Sequence, residues 1–457
     1  MRRLLTYFGF AVVTLIAAFS ARIGGNVPVL PDIPYNYASI KLPAHLNAAG
    51  VAEADNTPGS NPITDAGATL GRVLFYDTRL SANRTISCSS CHIAENGFSD
   101  PAQFSMGFDG GETARNSMGL SFTRFYATGR YFWDERAPTL EDQTLMPIQD
   151  PVEMGMELPE VVDRLEATTF YPDLFAEAFG TAEITSDRMS MAMAQFLRSM
   201  VAPYSRYDQG RVAQGGPPGT PLPNLTVQEN EGLQIFFGEG QCSHCHESDL
   251  FISGFPRSNG LDSSVVDPGV VRGTFKVNSL RNIELTAPYM HDGRFETLED
   301  VVEFYNSGIQ PTPYLDRLLT DADGEPIRFN FTEEQRAALV AFLKTLTDRS
   351  IMDARWSDPF NITTVPSETP GVASMDPAFP NPLGTQTTLR FQLSEPTTIE
   401  LVVFDLLGRR IATLASGSRD AGAYEVSWDA GDAPSGIYLV LLEAAGQRKT
   451  QTLTVVR

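Results

Sequence analysis

Apolar positions recur at helical spacing through most of the first 350 residues. After Thr332, Leu339, Phe342, Leu343 and Leu346 share one face, and Met189, Met193, Phe196, Leu197 and Met200 do the same further upstream. The methionine stripe reads as core packing rather than as a ligand set. Thr226 with Glu229 and Thr332 with Gln335 are capping-box pairs, and Thr297 with Asp300 is a close variant, each opening a helix. Long glycine-bearing loops, such as Gly97 to Gly119, separate these helices, and loops of that length in a compact domain imply a prosthetic group whose pocket they line. Towards the C-terminus the period falls to two. Thr398–Phe404, Ala423–Trp428 and Gly436–Leu442 are β-branched and aromatic runs split by Gly, Asp and Pro, which predict a small β-sandwich.

Two stretches rich in Pro and Gly, Gly210 to Pro223 and Pro359 to Pro382, cannot continue helix or sheet and are read as linkers. At the start, Met1, Arg2 and Arg3 precede an apolar run from Leu4 to Phe19 and small residues at Ala18, Ser20 and Ala21, the pattern of a secretory signal. The run is shorter than the roughly 20 residues of a membrane span, although an uncleaved anchor is the alternative. The expected organisation is a signal at 1–21, a first helical domain at 26–210, a second at 225–353, a Pro-rich linker at 354–383 and an immunoglobulin-like β-sandwich at 384–457.

Composition narrows the class. With 457 residues, 42% of them hydrophobic and 20% charged, the chain is too long for one ordinary domain and too apolar for disorder. Its formal net charge of -22 opposes binding to nucleic acid or anionic lipid, so a charged macromolecular partner should be basic. The four cysteines are Cys88, Cys91, Cys242 and Cys245, two close pairs rather than a dispersed disulfide framework.

Each pair is followed by histidine, so Cys88 to His92 and Cys242 to His246 both read C-x-x-C-H, the attachment sequence of c-type haem. Two thiols one short turn apart can bond both vinyl groups of a porphyrin edge, and the next residue then lies under the iron as its imidazole ligand. Two covalently bound haem c groups are therefore expected, with His92 and His246 as proximal ligands, in a mainly α fold of two cytochrome c-like helical haem domains. Zinc or dithiol chemistry is the competing reading, but structural zinc pairs recur within tens of residues and these lie 242 − 88 = 154 apart. Of the other histidines, His244 reads as a surface residue and His45 has no motif around it.

Leu70–Asp77, both haem motifs, Tyr131–Arg136, Asp150–Gly155, Leu285–Gly293 and Thr297–Val302 together resemble the di-haem cytochrome c peroxidase family, including its methylamine-utilisation branch, MauG. The resemblance covers roughly residues 70 to 346. It implies an exported enzyme that reduces hydrogen peroxide with electrons from a small basic redox protein or another external donor. In the family the two haems face one another across a tryptophan and a bound calcium. Trp133 takes the place of that tryptophan, and Gln143 and Glu153 that of the distal pair handling peroxide. Asn116 and the carbonyls of Thr286 and Pro288 resemble the calcium ligands, and His291 the histidine supporting the edge of the second haem.

Two departures from the pattern matter. No histidine lies between His92 and His244 to cap the first iron, which is then five-coordinate unless Met106 or Met118 substitutes. Fourteen residues after His291, where the better-known peroxidases carry a methionine, stands Tyr305, as in the MauG branch. A helix from Thr297 puts Tyr305 on its buried face, and a phenolate there would stabilise ferric and higher states of the second haem. MauG-like oxidation of a protein or organic substrate, and plain electron carriage, are the alternatives to peroxide reduction.

The third block resembles the C-terminal sorting domain of type IX secretion cargo, with Asp405, Gly408, Arg409, Gly422, Trp428, Pro434, Gly436 and Tyr438 in place. The type IX machinery is thus an expected partner, and the location is periplasm, cell surface or outside the cell. A displayed binding protein would account for this block but not for the haem motifs. A homodimer is the expected oligomeric state.

Overall fold

The structure is a computed structural model that describes residues 27–360 and 373–456, the latter without 376, 377, 379, 394, 395, 406–408, 432, 445 and 446. The expected signal at 1–21, residues 361–372 of the expected linker and residues 406–408 of the sorting signature lie outside the described residues. The chain divides into two compact units, one built mainly on residues 34–362 and the other on 363–457. No helix among the described residues is long and apolar enough to cross a membrane.

The main helices of the first unit are α1 (Asp65–Tyr76), α2 (Leu140–Gln149), α3 (Leu158–Glu166), α4 (Tyr171–Phe179), α5 (Ser186–Arg198), α6 (Arg206–Gln214), α7 (Val227–Phe237), α8 (Leu298–Glu303) and α9 (Glu333–Lys344). Thr226, Thr297 and Thr332 each form a reciprocal capping box with the residue three positions on, as their spacing predicts. The methionine stripe of α5 is buried against α1, α3 and α4.

Two helix pairs carry the unit, and they are built alike. Where α1 crosses α5, a Cβ on Gly71 would lie 2.0 Å from the carbonyl oxygen of Ala192, and where α7 crosses α9 a Cβ on Gly232 would lie 1.9 Å from that of Ala338. Only glycine permits backbones to approach so closely. One turn further along every helix stands a phenylalanine, and their rings meet in pairs: Phe75 with Phe196 at 5.4 Å, Phe236 with Phe342 at 5.3 Å. Hydroxyls close the ends of α5 and α9 in the same way, Ser199 Oγ donating to Phe196 O at 2.6 Å and Thr345 Oγ1 to Phe342 O at 2.7 Å.

The stretch read as a break from Gly210 is helical to Gln214. Ser205 caps α6, which ends at Gly215 with φ +66. Gly210 sits inside the helix because Leu222 and Asn224 fold back on it; a Cβ there would lie 2.3 Å from Asn224 Oδ1. This helix anchors the N-terminal arm. Asp208, 1% exposed, accepts from both terminal nitrogens of Arg281 at 2.9 Å and pairs with His45 Nε2 at 2.8 Å. Burial opposes its charge, but Arg281 overrides that and holds the carboxyl well below the usual range. His45, without a motif in the sequence, is thus hydrogen-bonded to the buried Asp208–Arg281 ion pair.

In the second unit, β1 (Ala373–Met375), β2 (Gln386–Leu393) and β5 (Gly422–Asp429) form one sheet in the order β1-β2-β5. The other sheet, β4-β3-β6-β7, contains β3 (Thr397–Asp405), β4 (Arg410–Arg419), β6 (Gly436–Ala444) and β7 (Gln447–Val455). Neighbouring strands are antiparallel. Leu389, Phe391 and Trp428 from the first sheet and Leu401, Val403, Val440 and Leu453 from the second share one core, the outcome of the period-two pattern.

The Gly71 contact yields a stability prediction. Gly71→Ala forces the α1 and α5 backbones apart and should cost at least about 2–3 kcal/mol, whereas Gly59→Ala, with nothing within 4 Å of the new carbon, should be near neutral. Denaturant unfolding of the two variants checks this; equal midpoints would show that the crossing tolerates a methyl group.

Candidate functional site

Both C-x-x-C-H segments fold as one tight turn followed by a return. Cys88–Cys91 is a single helical turn boxed by Ser87 and Ser90, and Cys242–His244 is a 3-10 turn entered through Gln241 at φ +53. The chain then doubles back, so that His92 Nδ1 donates to Phe98 O at 2.9 Å and His246 Nδ1 to Phe251 O at 3.3 Å. The two phenylalanines supplying these carbonyls are fully buried and left-handed, Phe98 at φ +59 and Phe251 at φ +54. Side chains of that size rarely adopt this region, so burial of the rings holds a strained backbone in place.

The rings behind the histidines come from the paired helices. Phe75 lies 6.5 Å from His92, and Phe236 6.4 Å from His246. Burial pulls the His92 imidazole below its ordinary pKa and the His246 imidazole down to about 4. Each is therefore neutral near pH 7, and with Nδ1 committed to a carbonyl its Nε2 lone pair is the one left for a metal.

The four cysteines are unpaired. Burial pushes the Cys88 and Cys242 thiols up to about 12, and those of Cys91 and Cys245 to about 11. No group of three or more His, Cys, Asp or Glu residues among those described is arranged to hold a metal ion, as a zinc site would require. Both cysteine pairs and both histidines instead line one cavity of about 880 Å³, walled also by the glycine-bearing loop around Asn116 to Leu120. Thiols, neutral imidazoles and enclosing apolar walls suit a large ligated prosthetic group.

The other residues singled out in the sequence meet in this cavity. Glu153 and Gln143 both line it, and Glu153 is close enough to Cys88 and Cys91 to act on their thiols. Burial, reinforced by Asp150 and opposed by Arg136, lifts the Glu153 carboxyl to about 7. Trp133 is clamped between the two haem-motif halves: its indole Nε1 donates to Asn116 O at 2.8 Å, and its own carbonyl accepts from Lys276 N at 2.9 Å. His291 stacks on Phe275 with ring centroids 3.8 Å apart, and its carbonyl accepts from Asn116 N. Arg115 spans the same junction, pairing with Asp134 at 2.6 Å and Asp267 at 2.7 Å. Asn116, Thr286 and Pro288 also line the cavity, although the Asn116 amide nitrogen is already bonded to the carbonyls of Ala102 and Gln103. Met118 lines it too, whereas Met106 is 63% exposed and outside it.

Tyr305 reaches the cavity near the second motif, but not on a regular helix. After α8 the chain widens into a π turn, Phe304–Gly308, which changes the register expected from Thr297. Burial pushes its phenol up to about 12, while Asn259 Nδ2, donating to the phenol oxygen at 3.3 Å, acts in the opposite direction.

Several contributors were missed in the sequence. Gly71 and Gly232 each precede a phenylalanine by four residues and a C-x-x-C-H motif by less than twenty, a repeat that could have been found by aligning the two halves. Asn259, Lys276 and Tyr126 lie outside the motifs singled out in the sequence, and tertiary contacts bring them to the cavity.

The model of the di-haem cytochrome c peroxidase family matches residues 65–215, and that of the secretion system C-terminal sorting domain matches residues 377–456. Methylamine utilization protein MauG of Methylorubrum extorquens is 34% identical over 63% of this chain and 80% of its own length. Cytochrome c551 peroxidase of Nitrosomonas europaea is 32% identical over 68% of this chain and 89% of its own. A crystal structure of a MauG-like protein associated with microbial copper homeostasis superposes with a TM-score of 0.58 at 34% identity, covering 72% of this chain and 99% of that one.

Proposed function

The chain belongs to the di-haem cytochrome c peroxidase family, and from that premise we propose how its own residues perform the reaction of a peroxidase-type oxidoreductase with two haem c groups. Cys88 and Cys91 would hold one haem with His92 as an iron ligand, and Cys242 and Cys245 the other with His246. When bound, the first haem supplies the iron at which hydrogen peroxide is reduced and the second receives electrons from an external donor.

The observation that carries the reading is the shared wall: Glu153, Trp133 and both C-x-x-C-H turns face one cavity. Cleaving an O–O bond requires moving a proton from the inner to the outer oxygen. Glu153 is suited to that shuttle, because a carboxyl titrating near 7 both accepts and returns a proton at neutral pH. Gln143 orients the peroxide through its amide. Trp133, held at its indole and at its carbonyl, keeps a fixed aromatic bridge between the two sites, and His291 braces the junction against Phe275. Calcium belongs to the proposal through the oxygens of Asn116, Thr286 and Pro288.

Tyr305 favours a second reading, oxidation of a protein or organic substrate in the MauG manner. Its oxygen receives a hydrogen bond from Asn259, which favours the phenolate a ferric centre would bind. The sorting domain implies export. We assign it an immunoglobulin-like sandwich, recognised by the type IX machinery after a signal peptide has directed the chain to the periplasm.

Glu153→Gln should lower the peroxide turnover of the haem-loaded enzyme by about 10²–10⁴-fold with haem content unchanged; a wild-type rate would remove Glu153 from the reaction. The ionised form accepts the proton, so the wild-type kcat/KM should rise with pH through about 7 and level off above it, and this step should vanish in the variant. Tyr305→Phe should alter the low-spin electron paramagnetic resonance signal of the second haem, and an unaltered spectrum would point to another ligand. Elemental analysis of the purified protein should find one calcium per chain; its absence would refute the ion.

A further inference from the structure

Around Lys276, whose backbone nitrogen is bonded to Trp133 O, lies a buried cluster that peroxide handling does not use. Tyr126, 1% exposed, lines the cavity and donates its phenolic proton to Glu135, itself 5% exposed and left-handed at φ +52. Lys276 closes the cluster. Its Nζ stands 3.8 Å from the centroid of the Tyr126 ring and 4.4 Å from that of Tyr131, donates to Arg130 O at 3.2 Å, and its backbone nitrogen is the group bonded to Trp133 O.

We propose that Tyr126 and Glu135 form a proton-coupled redox pair beside Trp133, able to reduce the peroxide-oxidised haem centre by one electron when the external donor is scarce. The inference rests on the peroxidase reading for its oxidant. In the forward step the O–H bond of Tyr126 breaks, its electron passes to the oxidised centre, and its proton forms an O–H bond on the Glu135 carboxylate. The products are a neutral tyrosyl radical and a neutral carboxylic acid. An electron from the external donor, with the proton returned by Glu135, restores the phenol.

The reason to single out Tyr126 is a comparison within the cluster. A buried phenol cannot lose an electron and keep its proton, since that would leave a strongly acidic cation in an apolar interior. It needs a base within hydrogen-bond reach. Tyr131, five residues on and under the same lysine, donates instead to the Thr123 carbonyl at 3.1 Å, which cannot take the proton. Two tyrosines thus share one environment, but only one has a proton acceptor. Burial pulls the Lys276 ammonium down to about 7 and Glu135 acts against that, so the lysine and the carboxylate partly offset one another at this depth.

The test is freeze-quench electron paramagnetic resonance of the haem-loaded protein, oxidised without donor in two ways: by hydrogen peroxide, and by a photo-oxidised ruthenium complex that bypasses peroxide chemistry. A tyrosyl signal that is lost in Tyr126→Phe and Glu135→Gln and retained in Tyr131→Phe supports the pair. If it is seen with ruthenium alone, the pair stands and the peroxidase reading fails. A signal that survives Tyr126→Phe, one that disappears only in Tyr131→Phe, or no organic radical with ruthenium would overturn the assignment. Haem content and the absorbance spectrum of each variant are measured on the same samples, and if Tyr126→Phe loses haem it is replaced by Tyr126→Trp, which keeps an aromatic ring but presents no phenol to Glu135.

Discussion

Everything in the haem-binding unit depends on how closely two helix backbones can approach. Gly71 on Ala192 and Gly232 on Ala338 bring the helices of each pair into direct main-chain contact. Because the approach is set by backbone atoms, the phenylalanine one turn along each helix has a fixed position, and those rings back the imidazoles of His92 and His246. The return loop then delivers a carbonyl to each Nδ1. A chain of short-range constraints thus runs from two glycines to the orientation of two candidate iron ligands.

The use of this arrangement twice in one chain explains why the halves differ mainly in what faces the cavity. The first half contributes Glu153 and Gln143, the second Tyr305 with Asn259. Trp133, Arg115 and Asn116 are among the residues whose contacts cross from one half to the other. Two nearly equivalent scaffolds, carrying a buried carboxyl raised to about 7 on one side and a phenol on the other, suit a division between a site that reacts and a site that exchanges electrons.

Much of this was legible in the sequence because it is local. Capping boxes, the methionine stripe and the alternating strands depend on neighbours within a few positions, and all appear at the expected residues. The C-x-x-C-H turns were legible for the same reason. The errors arose where distant contacts overrode local preference. Gly210 reads as a breaker but sits within a helix because Leu222 and Asn224 pack on it. Tyr305 faces inward as expected, although on a π turn rather than a regular helix. His45 has nothing around it in sequence, yet Asp208, more than 160 positions away, is its partner.

The burial of the cysteines also sets a chronology for biogenesis. In the folded chain the thiols stand at about 11 to 12, so almost none is present as the nucleophilic thiolate near neutral pH. Thiols held in that protonated form are poor nucleophiles, which favours covalent capture of a porphyrin while the turns are still open. The cavity lined by both motifs is also the space around which the two halves meet, so filling it and closing the fold draw on the same surfaces.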